Sequence, residues 1–158
     1  MDKELNNLMK HLILGILFVV AFGQSHAQSP ADLNLKDGVA IEGYDPVAYF
    51  TSKKPVEGKK EFQYKHENVT YYFASAANRE AFIKNPKAYE PQYGGWCAYA
   101  MGANGEKVEI NPETFKVLDG KLYLFYNAYL TNTLPKWNKD EANLKVNADK
   151  NWKAFTNQ

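Results

Sequence analysis

Short segments of alternating apolar and polar residues mark two hairpins along the chain. Residues 62–66 and 69–73 have strand character, and Glu67 and Asn68 between them match a tight turn, because Asn tolerates a positive φ. The strongest pattern of this type lies at residues 115–125, where an Asp-Gly pair separates two apolar runs. Both patterns predict pairs of antiparallel strands.

Helical signals follow the first hairpin and dominate the end of the chain. Ser75 is a favoured N-cap residue for a helix over residues 76–84. Beyond Tyr126 the sequence is polar, with apolar residues at helical spacing. Between these regions, residues 107–110 alternate like a strand and residues 111–113 contain the Asn-Pro pair of a turn.

Together these elements predict an α+β domain, with a small antiparallel sheet and short helices packed on it. We place this domain at residues 39–156, including a C-terminal helical extension, and we interpret residues 28–38 as an N-terminal lead-in. No repeat or low-complexity tract divides the chain, so the sequence predicts one compact domain.

The beginning of the chain has the pattern of an export signal. Lys3 and Lys10 precede an apolar run at residues 12–22, which is shorter than the ~20 residues that span a bilayer. Ser25 and Ala27 are small residues at the two positions that signal peptidase reads, so residues 1–27 are predicted to be a cleaved signal peptide. Cleavage predicts a periplasmic or secreted protein without a transmembrane segment. An uncleaved N-terminal anchor is the alternative.

Composition narrows the range of partners. The formal net charge is +1 and no basic stripe is present, which argues against nucleic acid as a partner. Cys97 is the only cysteine, so it cannot form an internal disulfide in an oxidising compartment. It is therefore free, capped, bound to a metal, or joined to a second chain in a homodimer.

The segment around this cysteine carries the most informative chemistry. It reads Tyr-Gly-Gly-Trp-Cys-Ala-Tyr-Ala-Met over residues 93–101 and predicts the start of a helix, on which Cys97 and Met101 would share one face. A thiol and a thioether are soft donors that select Cu(I). His66, the only histidine left after the predicted cleavage, is the candidate for a third ligand. The alternative is that the two sulfur atoms are buried packing groups.

Several further segments resemble the YHS domain family, and more narrowly its exported bacterial branch. The resemblance rests on their joint order along the chain, and the segments are residues 43–50, 72–79, Phe82, Pro86, Tyr89, 91–95, 97–98 and 119–124. This resemblance implies a compact α+β fold and a role in binding metal. Cysteine-bearing relatives carry thiols at the positions of Ala48, Ala74 and Asn78, so their metal cluster does not transfer to this chain. Cys97 is the thiol that remains.

Residues beside the glycines are candidates for contacts with a small ligand. Tyr44 and Tyr93 could line the mouth of a pocket, or they could be amphipathic edges of the core. Asp45 precedes a proline and could be only a turn residue. Gly94 and Gly95 permit either a tight turn or the close approach of a ligand to the backbone.

These observations predict an exported YHS-type protein that binds a metal ion, copper first, or a small ligand near Cys97. With one histidine, the mature sequence argues against a hydrolase with a serine or cysteine triad, and it contains no metalloprotease, phosphate-loop or dinucleotide motif. We therefore expect binding rather than catalysis, and the sequence leaves the question of an enzyme open. One alternative is a thiol-dependent redox or sulfur-handling protein that uses Cys97. Another is an interaction module in which the cysteine is buried and inert.

Overall fold

Eight short strands form three separate sheets in residues 32–156, the part of the chain that the computed structural model describes. Five short helices accompany them in these residues, so the predicted α+β class is confirmed. The predicted signal peptide lies outside the described residues. Within the described range, no helix has the length and apolar character needed to cross a membrane.

The first sheet contains four strands in the order β1-β2-β4-β3. Their bounds are Leu35–Lys36 for β1, Val39–Ala40 for β2, Lys59–His66 for β3 and Val69–Phe73 for β4. The predicted β3–β4 hairpin is confirmed, with His66 opposite Val69, while β2 runs parallel to β4. β1 belongs to the predicted lead-in, which therefore contributes an edge of this sheet.

The second sheet is the predicted hairpin of β5 (Asn111–Leu118) and β6 (Lys121–Phe125). Residues 111–113, predicted as a capped turn, begin β5, where Asn111 pairs with Phe125 and the register shifts before Phe115. The predicted cap is nevertheless present, because Asn111 Oδ1 accepts from the Glu113 backbone N–H at 2.8 Å. The strand predicted at residues 107–110 is wrong. One carbonyl of that segment, Val108 O, accepts instead from the Cys97 backbone N–H at 2.9 Å.

A third small hairpin follows, formed by β7 (Asn127–Ala128) and β8 (Thr131–Asn132). The helix predicted from Tyr126 onward is wrong for these residues. Helices α4 (Leu134–Lys139) and α5 (Glu141–Thr156) form only after the hairpin.

The remaining helices are α1 (Ala48–Thr51), α2 (Ala76–Lys84) and α3 (Ala98–Ala103). The Ser75 cap of α2 is confirmed, because its hydroxyl accepts from the Asn78 backbone N–H at 3.2 Å. Helix α3 begins later than the sequence predicts.

Two apolar clusters form the core. The first lies against the four-stranded sheet and includes Phe73, Phe82 and Cys97. The second surrounds the fully buried Trp137, next to α3 and α5, and includes Met101. Cys97 and Met101 therefore pack in different parts of the core, although they are neighbours in sequence.

Candidate functional site

A groove of about 430 Å³ runs between the edge of the first sheet and the start of the loop before α3. Leu35 and Ala40 of the sheet form part of it, and the C-terminal helix α5 contributes Trp152. A volume of this size suits a small organic molecule, since ligand pockets usually measure roughly 300–1,000 Å³. We call this feature the sheet-edge groove.

The backbone of residues 93–95 shapes one wall of the groove. Tyr93, Gly94 and Gly95 have consecutive positive φ values of 55°, 60° and 84°. A Cβ on Gly94 would lie 2.7 Å from the Trp152 ring, so only glycine permits this close approach. The carbonyls of both glycines accept hydrogen bonds from Asn34. The glycine pair is therefore required by the turn itself, and that turn also faces the groove.

Tyr93 is a non-glycine residue in the left-handed region, and its side chain explains how it stays there. Its hydroxyl donates to Asp149 Oδ1 at 2.9 Å, and its ring is buried in the second core cluster. Burial and the bond to Asp149 raise the pKa of Tyr93 above its ordinary value. The tyrosine thus remains a neutral donor that ties the loop to α5.

Charged side chains of both signs line the groove. His66 Nε2 lies 3.7 Å from Glu90 Oε1 and 3.9 Å from Glu67 Oε1. Lys121 and Lys153 contribute positive charge. Together with the indole of Trp152, these side chains give the groove one flat apolar surface surrounded by many charged groups, so its lining is more polar than that of most small-molecule sites.

Cys97 lies outside the described lining of this groove, and its side chain is fully buried. Its sulfur accepts from the Tyr126 backbone N–H at 3.3 Å and lies 3.4 Å from Thr133 Oγ1. Because the Thr133 hydroxyl donates to Tyr126 O, the cysteine S–H is the donor to Thr133. The thiol therefore joins the two ends of the β7–β8 hairpin from inside the core.

The three candidate metal ligands lie in three different surroundings. Cys97 and Met101 are buried in separate clusters, and His66 lines the groove. Among residues 32–156, no group of three or more His, Cys, Asp or Glu side chains is placed to hold a metal ion. Copper binding at Cys97 stays a prediction, which anaerobic titration with Cu(I) would test by comparing the wild type with Cys97→Ala.

We expect the native Cys97 thiol to react slowly with an alkylating reagent. The side chain has no exposed surface and both of its hydrogen-bonding partners are internal, so reaction requires local opening. Labelling should be at least about 100-fold slower in the folded protein than in denaturant. Rapid labelling of the native protein would instead favour the redox interpretation of this cysteine.

Asp45 is a fully buried carboxylate rather than a groove residue. Oδ1 accepts from the backbone N–H groups of Val47 and Ala48, and Oδ2 accepts from Ala74 N and Asn78 Nδ2. Three of these four donors belong to Ala48, Ala74 and Asn78, the positions at which the predicted YHS resemblance would place thiols. The space between these three residues is occupied by the Asp45 carboxylate, which already accepts four hydrogen bonds.

Tyr44 also lies away from the groove. It borders a second, more open pocket and donates from its hydroxyl to Glu113 Oε1 at 3.4 Å. Of the predicted ligand contacts, the structure brings together Tyr93, Gly94 and Gly95, and it adds His66 from the predicted metal set.

Sequence reasoning missed Trp152, Glu90 and Asp149 as groove residues. They come from separate segments, and no spacing along the chain connects them with the glycine pair. In comparisons with known proteins, no family model, no curated protein and no solved structure gives a significant match to this chain. The resemblance to the YHS family therefore stays a prediction.

Proposed function

We propose that this protein is a non-catalytic binding domain that holds a small organic ligand in the sheet-edge groove. The observation that supports this most is the convergence of residues 93–95, His66 and Trp152 on one cavity of about 430 Å³. The predicted export signal would place this activity in the periplasm or outside the cell.

The chemistry of the described lining supports binding rather than turnover. It includes no serine, threonine or cysteine, and its one histidine lies beside Glu67 and Glu90. The described lining therefore lacks the hydroxyl and thiol nucleophiles that a neighbouring histidine activates in acyl-transfer enzymes. The lining instead offers an indole face and charged groups, which can orient a flat ligand.

Backbone preorganisation is a second support. The left-handed loop is fixed by Asn34 on one side and by Asp149 on the other, so its shape does not depend on a ligand. A rigid wall lowers the entropy lost on binding. Strained, over-determined backbone of this kind is frequent at ligand sites.

The test uses anilinonaphthalene sulfonate, an aromatic anion that fluoresces in apolar sites, as the probe. We expect saturable one-to-one binding to the wild type. Gln92 lines the groove and is half-buried, so Gln92→Trp should fill part of the cavity and weaken binding at least about tenfold.

The matched control is Gln63→Trp, which places the same side chain on an exposed position of β3 outside the described lining. This variant should bind the probe as the wild type does. Equal binding by all three proteins, or no saturable binding to the wild type, would refute the proposal.

A further inference from the structure

The tip of the β7–β8 hairpin carries two large apolar side chains in full contact with solvent. Tyr129 is 94% exposed and Leu130 is 109% exposed, whereas Val146, the next most exposed large hydrophobic residue described, reaches 67%. Single exposed apolar residues are common on proteins. An adjacent pair at the end of a hairpin is a different feature, because two large apolar side chains are exposed at consecutive positions.

The same two residues have an unfavourable backbone conformation. Their φ values are 48° and 63°, the pattern of a two-residue turn that normally uses Asn and Gly. Large side chains are disfavoured in this region by contact with the backbone. The tip is therefore unfavourable for the isolated domain in two independent ways, which suggests that its residues are kept for a contact outside the fold.

The base of the hairpin is held firmly by the core. Thr133 N donates to Tyr126 O at 3.0 Å, and Asn127 Nδ2 donates to Thr114 Oγ1 at 2.9 Å. Cys97 joins both ends through its sulfur atom. The apolar pair is thus presented by a fixed support.

The size and charge of the tip indicate what it contacts. An aromatic side chain buries roughly 150–250 Å², and a stable protein interface needs about 800 Å² on each partner. Two side chains on a convex turn do not approach that area. A fluid lipid surface does not require a matching shape, and Tyr and Leu suit its interfacial region.

The surrounding sequence agrees with insertion into lipid. No charged residue occurs from Tyr126 to Pro135, in a chain of which 23% of residues are charged. The first charges beyond this stretch on the C-terminal side are those of Lys136 and Lys139. We propose that the Tyr129–Leu130 tip inserts into the boundary between headgroups and acyl chains of a bilayer. This contact is independent of the ligand groove.

The experiment places an environment-sensitive fluorophore beside the tip through Thr131→Cys in the full chain. It compares the natural tip with the double variant Tyr129→Asn, Leu130→Gly. The fluorophore reports only on its own surroundings. Binding of the apolar residues 12–22 to a vesicle would therefore not by itself change the emission at position 131. Vesicles of phosphatidylcholine, with and without phosphatidylglycerol, serve as the lipid surface.

With the natural tip, we expect the emission to shift to shorter wavelength and to rise at least about twofold on both vesicle types. The Asn-Gly variant should show no change. Since Asn and Gly suit the positive φ values, this variant should melt at the same or a higher temperature, which excludes unfolding as the cause. A fluorophore at Val146→Cys on α5 should stay in water in both backgrounds.

No shift with the natural tip, an equal shift in the Asn-Gly variant, or an equal shift at position 146 would each overturn the proposal. A shift that appears only with phosphatidylglycerol would also overturn it. Such a result would mean attraction by charge rather than insertion of apolar side chains.

Discussion

Asp45→Ala is expected to lower the free energy of unfolding by about 4 kcal/mol or more, a large part of the roughly 5–15 kcal/mol that is typical of a domain. The buried carboxylate accepts four hydrogen bonds that connect α1 with the junction between β4 and α2. Its removal leaves several buried donors without their acceptor, and each such donor costs about 1–3 kcal/mol. The measurement is the free energy of unfolding from urea titration.

Two amide substitutions sharpen this test. Asp45→Asn keeps the shape of the side chain but replaces one acceptor oxygen with an NH2 group, which would face other donors. This variant should therefore also be clearly destabilised. Glu61→Gln makes the same chemical change at an exposed position of β3 and should have little effect. If Asp45→Asn were as stable as Glu61→Gln, the carboxylate would not hold these elements together.

Gly102→Ala is expected to be the second strongly destabilising change, by about 2–4 kcal/mol. An added Cβ would lie 2.4 Å from the backbone oxygen of Leu144, where α3 packs against α5. Alanine favours a helix over glycine by about 1 kcal/mol, but that gain is smaller than the cost of separating two packed helices. The melting temperature and urea unfolding would both report the loss.

The neighbouring exposed residue supplies the control. Ala103→Val adds side-chain volume at an exposed position of the same helix, where the larger side chain does not enter the core. The free energy of unfolding should therefore change by less than about 1 kcal/mol. If the Gly102→Ala variant were as stable as the wild type, α3 and α5 would have to be far enough apart to hold a methyl group at position 102, which contradicts this close contact.

The parts of the fold that follow local rules could be predicted from the sequence. The Asp119-Gly120 turn and the Ser75 cap are specified by residues within a few positions, and both are observed. The β7–β8 hairpin could not be predicted in this way, because its turn carries no local sequence signal. Tyr129 and Leu130 form this turn although Tyr and Leu are residue types that seldom occur in such turns. Contacts at the base of the hairpin impose their conformation.

The candidate site was predicted only in part. The glycine pair signals an unusual backbone, and the structure shows that this backbone forms a wall of the groove. The burial of Cys97 could not be derived, because Tyr126 and Thr133, which contact its sulfur, lie 29 and 36 residues further along the chain. Trp152 likewise reaches the groove only through the packing of α5.

The most direct test of the proposed function is a map of backbone amide chemical shifts in isotope-labelled protein during titration with anilinonaphthalene sulfonate. We predict that the saturable changes concentrate at Tyr93, Gly94, Gly95 and Trp152, which line the groove. Changes centred on Cys97, changes scattered over the surface, or no saturable change would contradict the assignment of the groove as the binding site.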